Sequence, residues 1–289
     1  MVNYGGLPEE FSSYHSSAII VLPIPYDGSS TWVKGADLGP AALLEASANM
    51  ELYDIETDSE VYKKGIHTLE DLTTDKGPDA LVPLVKNKVN QLLKDNKFVV
   101  TVGGEHSVSI GAIQAFAENF SELSILQIDA HSDLRSEYEG SPSNHACVMA
   151  RAREVAEIVQ VGIRSMDVSE KENMDRNRVF FAHQMHEDNS WQERALSLLR
   201  KNVYITIDLD AFDPSILPST GTPEPDGLLY AQVFGFLKKV NRERNILGFD
   251  VVELCPNPTE KSSDFLASKL IYQLLSQIFL KNNNPPKDE

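Results

Sequence analysis

The sequence is poor in the features that mark secreted and membrane proteins. Its two cysteines, Cys147 and Cys255, are too few for a disulfide framework, and we expect both to be reduced and packed as small core residues. No apolar run approaches the roughly 18 residues that a membrane-spanning helix needs, and the N-terminus lacks the basic and apolar regions of a secretory signal. We therefore expect a cytoplasmic protein with no membrane partner.

Basic residues are scarce relative to acidic ones. The chain has 26 Lys and Arg against 43 Asp and Glu, a formal net charge of −17. Such a chain repels a phosphate backbone, which disfavours a nucleic-acid partner. The excess of acidic residues favours binding of a cationic small molecule or of metal ions, or it only keeps the protein soluble. The sequence also has no phosphate loop, no GxGxxG, no GxSxG and no HExxH, so the common nucleotide, serine-hydrolase and zinc-protease signatures are missing.

What the sequence does contain is an alternation of short β-branched runs and longer helical segments. The runs at 18–22, 98–102, 124–129, 158–161, 203–208 and 246–252 predict buried strands. The segments at 41–53, 78–94, 190–199, 230–240 and 264–280 predict helices. This alternation predicts an α/β fold with helices on both faces of a parallel sheet. We expect one domain over 1–289, with a frayed tail at 281–289.

Three polar clusters follow predicted strands, where parallel sheets bind their ligands. They are GGEHS at 103–107, DAHSD at 129–133 and DLD at 208–210. Because side chains at i and i+2 of an extended chain point the same way, we expect the acids and the histidine of 129–133 to converge, and likewise the two aspartates of 208–210. Several carboxylates brought together cost much free energy unless a cation compensates them.

The clusters therefore predict a site for two divalent metal ions, with two histidines and four aspartates as ligands. Imidazole and carboxylate ligands without thiolate favour Mn²⁺ over structural Zn²⁺. Two such ions roughly 3.5–4 Å apart can share a water and lower its pKa toward neutrality. Each cluster taken alone is as easily a solvated loop or a turn. The occurrence of all three after predicted strands is what indicates a metal site.

Taken together, the motifs resemble those of the ureohydrolases, the family of arginases and agmatinases. The resemblance rests on the three clusters and on further segments in family order: PYD at 25–27, GA at 35–36, GP at 39–40, SNHA at 143–146, DLDAFDP at 208–214, GTPEP at 221–225 and DVVE at 250–253. It runs from about residue 22 to residue 278. It implies a three-layer α/β/α arginase-like fold with a parallel sheet of about eight strands, and a homo-oligomer, either a trimer or a hexamer.

The resemblance also implies a role for each site residue. Two Mn²⁺ ions would be held by His106, Asp129, His131, Asp133, Asp208 and Asp210. Catalysis would use His145, Glu253 and Asp133, with Glu253 binding the substrate guanidinium and His145 contacting substrate and shuttling a proton. The chemistry agrees, because a guanidinium is a poor electrophile that needs a strong nucleophile, such as a metal-bridging hydroxide. The amine leaves only when protonated, and a histidine can relay that proton.

The substrate expected from these residues is agmatine, hydrolysed to putrescine and urea, a step of polyamine biosynthesis. Arginases carry an Asn two residues beyond the DAHxD motif that helps to hold the substrate carboxylate, whereas this chain has Arg135 there. Agmatine has no carboxylate, and acidic surroundings suit a dication. Asp167 and Glu170 match positions that hold the α-amine in arginases. They could hold a distal amine here, or they are loop charges.

Other interpretations stay open. Arg135 could bind a carboxylate, which would indicate an arginase or a guanidinobutyrase, and longer polyamine-like guanidines are further candidates. More remote alternatives are a single-zinc amide hydrolase related to deacetylases and an inactive member that only binds metal. The presence of both His106 and Asp133 favours two ions over one, because a mononuclear site would not need both.

Overall fold

Short runs of Val, Ile and Leu form the strands of one central sheet. The computed structural model describes residues 2–188 and 190–283, and eight strands within them pair in parallel. The strands are β1 (Ile19–Ile24), β2 (Ile66–Thr68), β3 (Phe98–Gly103), β4 (Leu123–Ile128), β5 (Glu157–Ile163), β6 (Val179–Phe181), β7 (Asn202–Asp208) and β8 (Asn245–Val252). Their order across the sheet is β2-β1-β3-β8-β7-β4-β5-β6.

Helices cover both faces of this sheet. They are α1 (Glu9–Ser12), α2 (Gly39–Ser47), α3 (Pro78–Lys94), α4 (Val108–Asn119), α5 (Val148–Ala152), α6 (Ala182–Glu187), α7 (Trp191–Leu198), α8 (Tyr230–Glu243) and α9 (Ser262–Asn283). Alternate strand residues point to opposite faces: Ile19 and Val21 pack with α2, α7, α8 and α9, whereas Ile20 and Leu22 pack with α3, α4 and α5. The expected three-layer α/β/α fold is therefore confirmed. None of the helices in the described ranges combines the length and apolar content needed to cross a membrane.

Several elements differ from those predicted. β2 and β6, at the two edges of the sheet, have three residues each and were not predicted. The helix α4 was missed because it is buried on most sides and lacks an apolar stripe. The helix predicted at 41–53 ends at Ser47. The last helix continues to Asn283, so 281–283 are helical, and the rest of the predicted tail lies outside the described residues.

The four strands in the middle of the sheet position the candidate residues. β3, β8, β7 and β4 are consecutive neighbours, and all point the same way. The loop after β3 also packs closely against the loop after β1. At Gly104, after β3, an added Cβ would lie 2.0 Å from the carbonyl oxygen of Tyr26. Only glycine permits this approach, so the loop after β1 lies directly against the loop after β3.

Candidate active site

The predicted ligands follow three of the four middle strands. His106 lies in the turn between β3 and α4, Asp129 follows β4, and Asp208 is the last residue of β7. β8 lies between β3 and β7 and ends at Val252, directly before Glu253. Because parallel strands end at the same edge of a sheet, all of these side chains meet there.

His106 faces three carboxylates. Its Nδ1 atom lies 2.9 Å from Asp133 Oδ2, 3.2 Å from Asp129 Oδ2 and 3.4 Å from Asp208 Oδ2. Among the described residues this buried Nδ1 has no hydrogen-bond partner. An unpaired imidazole nitrogen surrounded by three carboxylate oxygens is a donor set that a divalent cation satisfies.

A second group of ligands lies beside the first and shares Asp129 with it. His131 Nδ1 lies 2.8 Å from Asp210 Oδ2 and 3.8 Å from Asp129 Oδ1. The two oxygens of Asp129 are therefore directed at different imidazoles. Two groups joined by one carboxylate indicate positions for two ions. The structure thus brings together all six residues that were predicted as ligands.

The backbone reaches this arrangement by turning. β4 ends at Ile128, and Asp133 adopts a left-handed φ of 51°. The N–H of Asp210 donates to Asp208 Oδ1 at 2.9 Å, in a short 3-10 turn after β7. The side chains do converge, but the reason expected from the sequence, an extended backbone, is wrong. The strands end before the later ligands, and local turns direct those side chains inward.

Buried polar side chains on the strands orient His106. Its Nε2 lies 2.8 Å from Thr206 Oγ1, and this hydroxyl donates to Asp250 Oδ1 at 2.7 Å. Tyr204 donates to the other oxygen, Asp250 Oδ2, also at 2.7 Å. Since Thr206 gives its only hydrogen to Asp250, it accepts one from His106 Nε2, which leaves the Nδ1 lone pair available to a metal. Sequence reasoning assigned none of these supports: Thr206 and Tyr204 show only as polar residues inside a buried strand, and Asp250 was cited only as part of the DVVE segment.

Two glutamines support Asp129 in a similar way. Gln127 Nε2 donates to Asp129 Oδ2 at 2.7 Å and to the backbone oxygen of His131 at 3.1 Å. Gln160, its neighbour on β5, donates to Gln127 Oε1 at 2.6 Å and to the backbone oxygen of Ser132 at 2.7 Å. Both glutamines are buried. They were also missed, because nothing in the sequence pairs two positions 33 residues apart.

The two ligand groups carry more negative charge than their imidazoles can neutralise. Even with both histidines protonated, two positive charges face four carboxylates. Burial, followed by Asp210 and Asp133, raises the pKa of Asp129 to about 7. Burial lowers the pKa of His131, but Asp210 and the other carboxylates outweigh it and raise this pKa to about 10. Without metal, the raised pKa values mean that Asp129 and His131 bind protons more strongly than they would in water. This is expected of a site whose carboxylates need cations to balance their charge.

A cavity of about 180 Å³ opens beside the two groups, lined in part by Glu253 and His145. The N–H of His106 donates to Glu253 Oε1 at 2.8 Å, and Glu253 itself has a left-handed φ of 65°. Such a backbone is unfavourable for a non-glycine residue and persists where the surroundings enforce it. Burial lowers the pKa of His145, with Asp133 opposing this effect and His106 and His131 adding to it. His145 is therefore neutral near pH 7.

Glu170 and Asp167 also line the cavity, but Glu170 is engaged with the protein. It is buried and accepts hydrogen bonds from Ser132 Oγ, from the N–H of Leu134 at 2.8 Å and from the N–H of Asp167 at 2.7 Å. These bonds join the loop after β4 to the turn after β5. Asp167 Oδ1 accepts the N–H of Ser169 at 3.0 Å and its hydroxyl at 2.6 Å, while the side chain as a whole stays 41% exposed and lines the cavity.

Arg135, which also lines the cavity, is paired and stacked. Its guanidinium nitrogens lie 3.7 Å from Asp167 Oδ2 and 3.8 Å from Glu170 Oε1. Its Cζ atom lies 4.5 Å from the centre of the Tyr138 ring, a cation–π contact. Tyr138 in turn meets the His145 ring edge-on, with ring centres 6.0 Å apart. The positive charge at the cavity mouth is thus compensated within the protein.

Arg164 is a further residue that sequence reasoning did not assign. It lies just after β5, and its Nη2 donates to the backbone oxygens of Asp210 at 2.6 Å and Glu224 at 2.9 Å. Its Nε donates to the backbone oxygen of Pro225 at 3.0 Å. Glu224 Oε1 lies 3.8 Å from His131 Nε2. Arg164 therefore ties the turn that carries Asp210 to the 221–225 segment, and its place after a strand end was the signal available.

The comparison with known families agrees with this geometry. A family model described as the arginase family matches residues 17–276. The chain belongs to the arginase family. It is therefore an arginase-family ureohydrolase, an enzyme class that acts on guanidino compounds.

The chain is also similar to named relatives and to solved structures. The chain is similar to N(1)-aminopropylagmatine ureohydrolases from Synechocystis sp., at 37% identity with 92% of this chain and 91% of the relative covered, and from Thermus thermophilus, at 38% identity with 92% of both covered. Its fold is similar to that of the agmatine ureohydrolase of Thermoplasma volcanium. That similarity has a TM-score of 0.89 at 27% identity, over 99% of this chain and 97% of the other.

Proposed function

We propose that the protein is a manganese-dependent ureohydrolase that cleaves the guanidinium group of agmatine into urea and putrescine. The observation that carries this proposal is the pair of ligand groups joined by Asp129, with Glu253 and His145 lining the same cavity. The ligand types, imidazole and carboxylate without thiolate, support Mn²⁺.

The metal ions would be held by two sets of side chains with Asp129 in common. The first set is His106, Asp129, Asp133 and Asp208; the second is Asp129, His131 and Asp210. When bound, two such ions lower the pKa of a water molecule toward neutrality, so that a nucleophile is available at neutral pH.

Glu253 would bind and orient the substrate guanidinium. One of its oxygens already accepts the N–H of His106, so the carboxylate has a fixed position at the cavity wall. A carboxylate and a guanidinium form short, strong, charge-assisted hydrogen bonds of defined geometry. Asp133, in the first set of metal ligands, would help to orient the attacking water.

His145 would carry a proton to the leaving amine. An alkylamine leaves carbon only as the protonated amine, so the reaction needs a proton donor beside the leaving nitrogen. His145 lines the cavity, and burial keeps it neutral near pH 7, which lets it accept a proton and then deliver it.

The charges at the cavity mouth support a substrate with a distal amine and no carboxylate. Arg135 lies within 4 Å of Asp167 and Glu170 and stacks on Tyr138, so its charge is already balanced and it attracts a substrate carboxylate less strongly than a free arginine would. We assign the distal amine to the accessible carboxylate of Asp167. Glu170 has the supporting role of holding the loop that carries Asp167.

A longer substrate of the same kind is the second candidate. The two relatives at 37–38% identity are named for N(1)-aminopropylagmatine, which carries an additional aminopropyl group. Glu224, 3.8 Å from His131 and about one-third exposed, provides a second carboxylate beside the metal ligands for an additional ammonium group.

A substrate panel tests the proposal. Urea release by the Mn²⁺-loaded protein would be measured with agmatine, N(1)-aminopropylagmatine, arginine and guanidinobutyrate. We expect turnover of agmatine and N(1)-aminopropylagmatine. For arginine and guanidinobutyrate we expect at least a hundredfold lower kcat/KM, because each would bring a carboxylate to the acidic side chains at the cavity mouth. The same protein after chelation serves as the control. Preferred turnover of arginine would contradict the substrate assignment, and no urea from any guanidine would contradict the proposed function.

We further propose a cytoplasmic homo-oligomer, a trimer or hexamer, built from one ureohydrolase domain per chain over residues 1–289. A single sheet with a core on each face accounts for the described elements, which supports one domain. The family resemblance supports the oligomer. Light scattering on the purified protein checks the number of chains.

A further inference from the structure

His145 is held by a serine that belongs to none of the three polar clusters. Ser29, in the loop after β1, is buried. Its Oγ accepts the backbone N–H of His145 at 3.1 Å and lies 3.1 Å from His145 Nδ1. Its own hydroxyl hydrogen is directed at Glu105 Oε2, 2.5 Å away. The two partners of Ser29 are thus 76 and 116 residues distant in sequence.

The loop containing Ser29 is fixed against the loop containing Glu105. The N–H of Glu105 donates to the backbone oxygen of Tyr26 at 2.8 Å, and Gly104 allows this close approach. Asp27 Oδ2 accepts the N–H of Gly35 at 2.7 Å, which closes the loop that contains Ser29. Ser29 therefore lies within a loop whose start is fixed against Glu105 and whose two ends are joined.

The hydrogen-bonding capacity of Ser29 is fully used. A serine hydroxyl has one hydrogen and two lone pairs. The hydrogen goes to Glu105, whose other oxygen accepts from Ser107 Oγ, so Glu105 acts as an acceptor on both sides. The two lone pairs then face the backbone N–H and the Nδ1 of His145. For the second contact to be a hydrogen bond, Nδ1 must carry the hydrogen of the neutral imidazole.

We propose that Ser29, itself oriented by Glu105, is a positioning residue that holds His145 as the Nδ1–H tautomer. The Nε2 atom of His145 then carries the lone pair. It takes a proton from solvent and gives it to the nitrogen of the leaving amine as the carbon–nitrogen bond breaks, which returns His145 to the neutral form. The hydrogens on Nδ1 and on Ser29 stay where they are throughout. This inference rests on the proposed function, because it concerns the proton that the leaving amine requires.

The test compares two neighbouring serines. Ser29→Ala removes the hydroxyl that faces His145, whereas Ser30→Ala, the matched control, removes a hydroxyl that bonds Asp27. With the guanidine that the wild type hydrolyses best, we expect Ser29→Ala to lower kcat about 10- to 100-fold, part of the 10²–10⁴ that general acid–base catalysis supplies. KM and bound Mn²⁺ should stay within about twofold, as should all parameters of Ser30→Ala.

A double-mutant cycle separates positioning from mere packing. If Ser29 acts only through His145, Ser29→Ala should cause little further loss of kcat in a His145→Ala background. An equal loss in both backgrounds would overturn the proposal, as would wild-type kcat in Ser29→Ala. If Ser29→Ala does not fold, Ser29→Cys fills the same space with a weak acceptor and must show the loss instead. Wild-type kcat in that variant would also overturn the proposal.

Failure of this inference can be told apart from failure of the proposed function. A wild-type protein that releases no urea from any guanidine contradicts the function itself. A wild-type protein that releases urea, together with Ser29 variants of unchanged kcat, contradicts only the role of Ser29.

Discussion

Asp129 belongs to both ligand groups, because each of its oxygens faces a different imidazole. His106 and His131 each offer one nitrogen: Asp133 and Asp208 lie within 3.4 Å of His106, and Asp210 lies 2.8 Å from His131. Bringing buried carboxylates together costs free energy, and the attraction of bound cations offsets that cost. Loss of a single ligand should therefore change metal binding before it changes anything else.

Asp210→Ala is expected to lower Mn²⁺ occupancy and urea release together. Asp210 Oδ2 lies 2.8 Å from His131 Nδ1, so its removal takes a carboxylate from the second ligand group. We expect at least a tenfold weaker Mn²⁺ affinity, measured by titration of the chelated protein. Asp37→Asn, an exposed aspartate outside the cavity, is the control. Full occupancy of both metals in Asp210→Ala would show that it is not a ligand.

Glu253→Gln is expected to spare the metals and to weaken turnover. The variant keeps the shape of the side chain and an oxygen for the N–H of His106, but it loses the charge that would pair with a guanidinium. Hydrogen bonds to charged groups contribute about 1.5–3 kcal/mol, so kcat/KM should fall by about 10- to 150-fold. Steady-state kinetics and metal analysis on the same sample check this. If turnover is unchanged, the role given to Glu253 is wrong.

At the residue scale, the sequence predicts the six candidate metal ligands but not the residues that hold them and His145 in position. The six ligands lie in short motifs after strands, where composition and spacing can be read directly. Thr206 and Ser29 are ordinary polar residues in sequence, and Asp250 was cited only as part of the DVVE segment, without a role. Their roles arise only when strands or loops far apart in the chain become neighbours, as Ser29 and His145 do.

At the scale of elements, the strand ends carry the site and the helices hold the sheet in place. The last helix, α9, packs against α2 and α8, and its first turn is capped by a residue before it. Glu260 accepts the N–H groups of Ser262 at 2.6 Å and Ser263 at 3.2 Å, and the hydroxyl of Ser219 at 2.7 Å. This carboxylate therefore satisfies amide groups that a helix start leaves unpaired.

Glu260→Ala is expected to lower the free energy of unfolding by about 1 kcal/mol, as for other lost helix caps. Burial raises the pKa of Glu260, but hydrogen bonds from Ser262, Ser263 and Ser219 outweigh it and lower the pKa to about 2. The stabilisation is therefore complete above the ordinary value of 4.5 and is lost as the pH falls toward 2. Denaturant unfolding at several pH values checks this, with the exposed Glu51→Ala as control. A difference between wild type and variant that grows toward low pH would contradict it.

Elements were predictable where burial leaves a simple pattern. The central strands read as β-branched runs because both of their faces are covered, and α3 shows a clear apolar stripe. The edge strands β2 and β6 are too short to give a pattern. Most residues of α4 are buried, so its apolar residues do not follow a helical period. Its place in the fold is fixed by contact with α3, where Gly111 permits close packing.

For the whole molecule, metal binding and folding are linked. The chain carries a net charge of −17, and the site concentrates part of that charge in a buried place. A metal that binds the folded chain and not the unfolded one stabilises the fold by mass action. In the metal-free protein, bound protons reduce the repulsion among the buried carboxylates, so its stability depends on pH.

The chelated protein is expected to lose stability as the pH rises from about 5 to about 7. Burial and neighbouring carboxylates raise the folded-state pKa of Asp129 from 3.8 to about 7, so its contribution is fully present below 3.8 and is lost as the pH rises through 7. His131, with a pKa raised to about 10, acts in the same direction above its ordinary value of 6.5. Unfolding curves with and without Mn²⁺ check this, and Mn²⁺ should stabilise more at pH 7 than at pH 5. Metal-free stability that rises over this interval would contradict it.

The most direct test of the central claim is anomalous X-ray diffraction from crystals of the protein grown with Mn²⁺, recorded at the manganese absorption edge. Two peaks per chain are expected, roughly 3.5–4 Å apart, one beside His106 Nδ1 and Asp133 and the other beside His131 Nδ1 and Asp210, with Asp129 between them. A single peak, or peaks elsewhere in the molecule, would contradict it.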